Sequence, residues 1–145
     1  MVEYKDINIE EIQIIKDLWC SNLDYHFKTE MFFKEQYSKL SFEERMDTIF
    51  ENANLTKITI AQEKTTPVGY CISKIENQIG EIMSLHVLKT KRKLGIGKQL
   101  TQTHIDWLTS NSCSKIGLYV ASGNTKTIEF YKQFGLESNL TPNQA

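Results

Sequence analysis

Cysteine, proline, long apolar runs and an excess of one charge sign are all scarce in this chain, and each shortage removes a class of protein. The three cysteines, Cys20, Cys71 and Cys113, are odd in number and widely spaced. They suit reduced thiols in the cytoplasm, not a disulfide framework or a zinc site, so no metal is expected. Two prolines and seven glycines leave no low-complexity segment, no long linker and no repeat. No apolar run approaches the roughly 20 residues that cross a bilayer, and the acidic stretch from Met1 to Glu11 has no signal-peptide core. A formal net charge of −1 argues against nucleic acid as a main partner, and nothing here points to a membrane.

At 145 residues the chain is long enough for one domain with a sizeable core. Its 40% hydrophobic and 24% charged content is ordinary for a globular protein. The charge is unevenly spread. Residues 1–63 hold 13 Asp and Glu against 7 Lys and Arg, and residues 64–145 hold 5 against 10. A basic half suits phosphates and an acidic half attracts cations, although two solvated faces would give the same count.

Periodicity sets the order of elements. Val2 to Ile7 reads as a strand. Asn8 is an N-cap, and Ile9, Ile12, Ile15, Trp19 and Leu23 fall at helical spacing, predicting a long helix to about Tyr25 or His26. Met31 to Tyr37 reads as a less regular helix. Ser41-Phe42-Glu43-Glu44 is a capping box for a helix with Phe42, Met46, Ile49 and Phe50 on one side. Then the period changes to two: Thr56 to Gln62, Val68 to Ile75 and Ile79 to Leu88 read as strands, with Asn77-Gln78 as a hairpin connection. Strict alternation along the last of these puts Glu81, Met83 and Leu85 on one face and His86 on the other. Ile96 to about Ser110 is a helix and Lys115 to Val120 a strand. Asn124 can cap a last helix that ends at Gly135. Three antiparallel strands followed by a β-α-β crossover make an α/β fold with a mixed, mostly antiparallel sheet.

The most informative stretch runs from Leu85 to Lys98. An apolar strand enters a basic turn that closes with Gly95-Ile96-Gly97, and a helix begins at once. Free N–H groups of a first helical turn, the helix dipole and nearby Lys91, Arg92, Lys93 and Lys98 favour an anionic group such as a phosphate. Two standard phosphate loops are excluded. The P-loop spacing puts Arg92 where its first Gly belongs and Gln99 after the Lys, and the dinucleotide fingerprint would need Gly at Leu100. What remains is Arg92-x-x-Gly95-x-Gly97.

That pattern on a strand-to-helix turn resembles the acetyl-CoA pyrophosphate loop of the GNAT superfamily of N-acetyltransferases. Gly80 to Val87 resembles the family's fourth strand, and Asn124 through Phe130-Tyr131 to Gly135-Leu136 resembles its second cofactor motif. Together they cover roughly residues 56–136. The resemblance implies a GNAT-like central sheet flanked by helices, with the pyrophosphate loop between the fourth strand and the third main helix. It implies a single acetyltransferase domain over 1–145: a helical acceptor-side part (1–55), an acetyl-CoA-binding core (56–136) and a short C-terminal tail (137–145). The co-substrate implied is acetyl-CoA. The cofactor-binding residues would be Leu85, His86 and Val87 through their main chain, Arg92, Lys93, Leu94, Gly95, Ile96, Gly97 and Lys98 through the loop, and Asn124 and Tyr131. Glu81 would be the general base and Tyr131 the group that protonates or hydrogen-bonds the leaving thiolate. Either residue could instead be structural, Glu81 as a solvated strand-end carboxylate and Tyr131 as a packed aromatic. Tyr25 and His26 are weak substrate-side candidates.

One departure stands out. Family members usually continue past the Gly-hydrophobic pair with a two-stranded hairpin, and here residues 137–145 leave room for one short strand. A neighbouring chain could supply the other, so a homodimer is one expectation. The function implied is acetyl transfer to a primary amine of a small molecule or protein, by direct attack in a ternary complex. The alternative is a non-catalytic acyl-CoA-binding or regulatory module, and a nucleotide-binding protein outside the family is the weaker third reading.

Overall fold

The computed structural model describes residues 2–20, 42–92 and 94–118. Five strands form one sheet in the order β1 (Val2–Ile7), β2 (Leu55–Glu63), β3 (Thr66–Glu76), β4 (Ile79–Val87) and β5 (Lys115–Leu118). The first three pairings are antiparallel and β4 pairs β5 in parallel. A 3₁₀ helix (Ile9–Ile15) and α1 (Phe42–Phe50) precede β2, a single 3₁₀ turn (Lys89–Lys91) follows β4, and α2 (Ile96–Ser110) makes the crossover to β5. This is the mixed, mostly antiparallel sheet expected.

The first helix differs from its expected form. It begins as a 3₁₀ helix over Ile9–Ile15, and helical backbone of the α type follows through residues 16–20. The spacing explains the change. Ile9, Ile12 and Ile15 recur every three residues, which lines them up at 3.0 residues per turn, and β-branched isoleucines favour the α-helix weakly. Asn8 caps it as expected, in a full capping box with Glu11. The capping box read at Ser41 and the segment Met31 to Tyr37 lie outside the described residues.

Both hairpins are tight. Lys64-Thr65 joins β2 to β3, and Asn77-Gln78 joins β3 to β4. Positive φ at both Asn77 and Gln78 is the primed turn that matches strand twist. β3 starts earlier than expected, at Thr66, because the pairing shifts between Ala61 and Gln62. The shift leaves Val68 as an extra residue and admits Pro67 at an irregular position, where proline is tolerated.

Two apolar clusters sandwich the sheet. Ile58, Ile60, Tyr70, Ile72 and Met83 pack under Ile15, Trp19, Phe42 and Met46 of the N-terminal helices. Cys71, Ile75, Ile82 and Val87 pack under Ile96, Leu100 and Leu108 of α2. Every described helix therefore buries an apolar stripe against one face of a sheet apolar on both sides, which makes β3 and β4 central strands.

Candidate active site

The site is built on β4 and the loop after it. β4 carries a bulge: Ile72 pairs with Ser84 and the next β3 residue, Ser73, pairs with Ile82, so Met83 is the extra residue. A bulge resets the alternation. Tyr70, Ile72 and Lys74 share one face of β3, and their partners are His86, Ser84 and Glu81. Glu81 and His86 therefore lie on the same side of the sheet, the side of the N-terminal helices, while Ile82, Leu85 and Val87 turn toward α2. The strict alternation read from the sequence separated Glu81 from His86, and the bulge corrects it. Glu81 and Ser84 are half-buried and His86 is buried. The Tyr70 and Ser84 hydroxyls are 2.8 Å apart, and the Tyr70 and His86 rings lie 6.4 Å centroid to centroid.

Beyond Val87 the loop is braced from within. The Leu88 amide donates to the Val68 carbonyl at 2.9 Å, and Arg92 Nε donates to the Val87 carbonyl at 3.0 Å. Lys91 is engaged with Glu63 at 2.8 Å. That hydrogen bond and charge hold the Glu63 carboxyl below the usual range. Lys91, read from sequence as part of a free basic cluster, thus has an acidic neighbour. Gly95 caps α2 with φ +82°, the left-handed region, and no side chain caps this helix. The first amides of α2 need partners from outside the helix, and exposed Lys98 stands in its first turn. Thr101 Oγ1 donates to the Gly97 carbonyl at 2.7 Å, and Ile96 is buried, anchoring the turn in the core. Leu94 is largely exposed at the loop's tip. The uncapped N-terminus fits a phosphate-bearing ligand, as the glycine spacing implied. Lys93, Asn124, Tyr131, Tyr25 and His26 lie outside the described residues.

Sequence reading missed a polar chain on the opposite face, exposed at Asp6 and buried at Thr59, Ser73 and His104. Lys57 Nζ and Thr59 Oγ1 each donate to Asp6 at 2.6 Å. His104 Nε2 lies 2.9 Å from Thr59 Oγ1, and His104 Nδ1 lies 2.6 Å from Ser73 Oγ. Because Thr59 spends its proton on Asp6, it accepts from Nε2–H, and Ser73 donates to Nδ1: His104 is the neutral Nε2–H tautomer. Burial, helped by the Lys57 charge, pushes its pKa down to about 3. The chain has the residue types of a hydrolytic triad, but Ser73 is fully buried and no substrate reaches it. Burial also pushes the Cys71 thiol well up, which excludes a thiolate nucleophile there. The network instead ties α2 to β1, β2 and β3. The signal available in sequence was polar Ser73 and His104 at positions whose period is apolar.

Among the described residues no group of three metal-ligating side chains converges, and no described helix is long and apolar enough to cross a membrane. A cleft between the 3₁₀ helix and α1 is lined by Ile9, Phe42 and Met46 and by Glu43, Asp47 and Glu51. Glu43 and Asp47 lie one turn apart on α1, Glu51 follows just past its end, and Glu43 is engaged with Lys16 at 3.3 Å.

The fold is matched in known proteins. The model of the acetyltransferase (GNAT) family matches residues 15–136, and the chain belongs to that family. The fold is similar to that of the PaiA N-acetyltransferase from Thermoplasma acidophilum in complex with coenzyme A, at 20% identity and a TM-score of 0.73 over 99% of this chain and 94% of that one. A putative acetyl transferase from Pyrococcus furiosus is similar at 23% identity and a TM-score of 0.70, covering 97% and 96%. The aminoglycoside N-acetyltransferase AAC(6')-Iy, in complex with a bisubstrate analog, is similar at 16% identity and a TM-score of 0.67, covering 97% and 94%. No curated protein matches the chain.

Proposed function

We infer that this acetyltransferase moves an acetyl group from acetyl-CoA to a primary amine of a small molecule or a protein, by direct attack in a ternary complex. One observation carries the reading: a half-buried carboxylate, Glu81, and an uncapped, glycine-led helix N-terminus stand on the same strand-turn-helix unit, inside the matched family region. Acetyl-CoA supplies the activated thioester carbonyl. The amides of Arg92 to Lys98 hold its pyrophosphate, aided by the charges of Arg92, Lys93 and Lys98. The main chain of Leu85 to Val87 pairs with the pantetheine arm, and one of its N–H groups faces the acetyl oxygen, where a rigid backbone donor stabilises developing negative charge. Glu81 takes the proton of the incoming ammonium, directly or through water. Tyr131 gives a proton, or a hydrogen bond, to the departing sulfur, and Asn124 contacts the cofactor.

The chain works as one domain. Residues 1–55 shape the acceptor side, 56–136 bind the cofactor, and 137–145 add a short tail. PaiA and AAC(6')-Iy both carry coenzyme A or a derivative of it in their solved complexes, which supports the cofactor. AAC(6')-Iy is an aminoglycoside N-acetyltransferase, and its bisubstrate analog joins coenzyme A to an acetylneamine. The carboxylates of Glu43, Asp47 and Glu51 beside the cleft and the acidic N-terminal half favour a cationic acceptor of similar chemistry.

Thiol release from acetyl-CoA, followed against an aminoglycoside, spermidine and an N-terminal-alanine peptide, tests this. Release with at least one amine is expected, and it should fall in Glu81→Gln and Tyr131→Phe. Coenzyme A binding without release for any amine would point to a binding module, and no binding at all would end both readings.

A further inference from the structure

We propose that Ser84 orients the acceptor amine beside Glu81 and that Tyr70 is the positioning residue that fixes Ser84 for this task. The inference rests on the acetyl-transfer reading above and extends it to a second polar contact for the amine. Its basis is the bulge at Met83. Without it, Ser84 and Glu81 would lie on opposite faces of β4. With it, they share one face, paired with Ile72 and Lys74, with the bulged Met83 between them on the same side. Ser84 is only half-buried, whereas its partner Tyr70 is completely buried and sits against the His86 ring. Tyr70 therefore approaches Ser84 from inside the protein, at 2.8 Å between hydroxyl oxygens.

A serine hydroxyl offers one donor and two acceptor positions. The bond to Tyr70 uses one of them whichever oxygen donates, and leaves at least one acceptor position. That position suits an amine N–H. An amine that has given one proton to Glu81 still carries N–H bonds. One of them directed to Ser84 Oγ fixes the nitrogen's rotation, so its lone pair points away from the β4 face toward the thioester carbon. No proton is stored on Ser84 or Tyr70. The ammonium proton goes to Glu81, the nitrogen lone pair forms the bond to carbon, the carbon–sulfur bond breaks with its electron pair on sulfur, and the second proton that the nitrogen then sheds neutralises the thiolate to give the free thiol and the amide.

The test compares Ser84→Ala, Tyr70→Phe, the double variant and Ser84→Thr in the thiol-release assay, with coenzyme A affinity measured on each. The expected loss in kcat/KM for the amine is about 3- to 10-fold in either single variant, the scale of one hydrogen bond. The double variant should lose no more than a single one, because Tyr70 acts through Ser84. Ser84→Thr should recover activity, and coenzyme A affinity should hold in every variant. Full activity in Ser84→Ala, independent multiplication in the double variant, or no recovery with threonine would overturn the proposal while leaving acetyl transfer intact. Absence of thiol release by the unmodified protein with every amine would overturn the transfer reading and this proposal together.

Discussion

At the scale of single residues, two titratable side chains occupy opposite faces of the sheet and answer to different tests. Glu81 is the proposed base. Glu81→Gln should reduce kcat/KM by about 10²-fold or more while leaving coenzyme A affinity unchanged; steady-state kinetics and titration calorimetry on both proteins check it. His104 is structural. Its folded pKa of about 3 lies below its ordinary 6.5, so below pH 6.5 the unfolded chain binds a proton that the folded chain refuses. Its contribution to stability is full above pH 6.5 and is lost as pH falls toward 3, at a slope of up to about 1.4 kcal/mol per pH unit. Asp6 adds to this with the same sign. Burial raises its carboxyl, but hydrogen bonds from Lys57 and Thr59 outweigh that and hold it low. Thermal melts from pH 7.5 to 4 should show the midpoint falling, and His104→Gln should flatten the fall. His104 falls in step with buried Ile96, Leu100 and Leu108 along its helix, but its partners come from strands 31 and 45 residues away, beyond the reach of local periodicity.

Elements are set by local chemistry wherever one rule acts alone, and misread where two compete. The Asn77-Gln78 hairpin and the start of α2 at Gly95-Ile96-Gly97 follow from turn residues, and both were legible. The bulge in β4 was not, because Met83 is as apolar as the residues around it and an extra apolar residue leaves no mark on a strand buried on both faces. That one residue moved Glu81, Ser84 and His86 onto a common side. Two glycines give separate tests. At Gly95, with φ +82° and open space around a would-be Cβ, the cost of Gly95→Ala is conformational, roughly 1–2 kcal/mol. It falls on the turn that presents the α2 amides, so coenzyme A affinity should drop in titration calorimetry. At Gly80 a Cβ would stand 2.7 Å from Leu108 Cδ2 and 3.0 Å from Cys113 Sγ. Gly80→Ala should therefore destabilise by about 1–3 kcal/mol through overpacking, visible in urea denaturation. Leu108→Ala in the same chain should relieve part of that penalty.

For the whole molecule, the sheet separates two jobs. The face under α2 carries a closed apolar cluster and the His104 network, and it holds that helix against three strands. The face under the N-terminal helices carries Glu81, Ser84 and His86 at the edge of the other cluster. A ligand held at the α2 N-terminus thus leans on the more firmly tied half and reaches across β4 toward the chemistry. Such a ligand binds only the folded chain, because Gly95, the braced Arg92 and the α2 amides come together only on folding. Coenzyme A at 100 times its dissociation constant should then add about 2.7 kcal/mol to stability, or roughly 5–10 °C in melting temperature for a domain of this size. Added salt should shrink that shift, since exposed Lys98, the proposed pyrophosphate contact, stands at the surface, where charge is screened. Lys98→Ala should lower the shift at low salt and weaken its salt dependence, whereas Glu81→Gln should leave both unchanged. A shift that persisted in full with both Lys98→Ala and Gly95→Ala would place the cofactor elsewhere on the molecule.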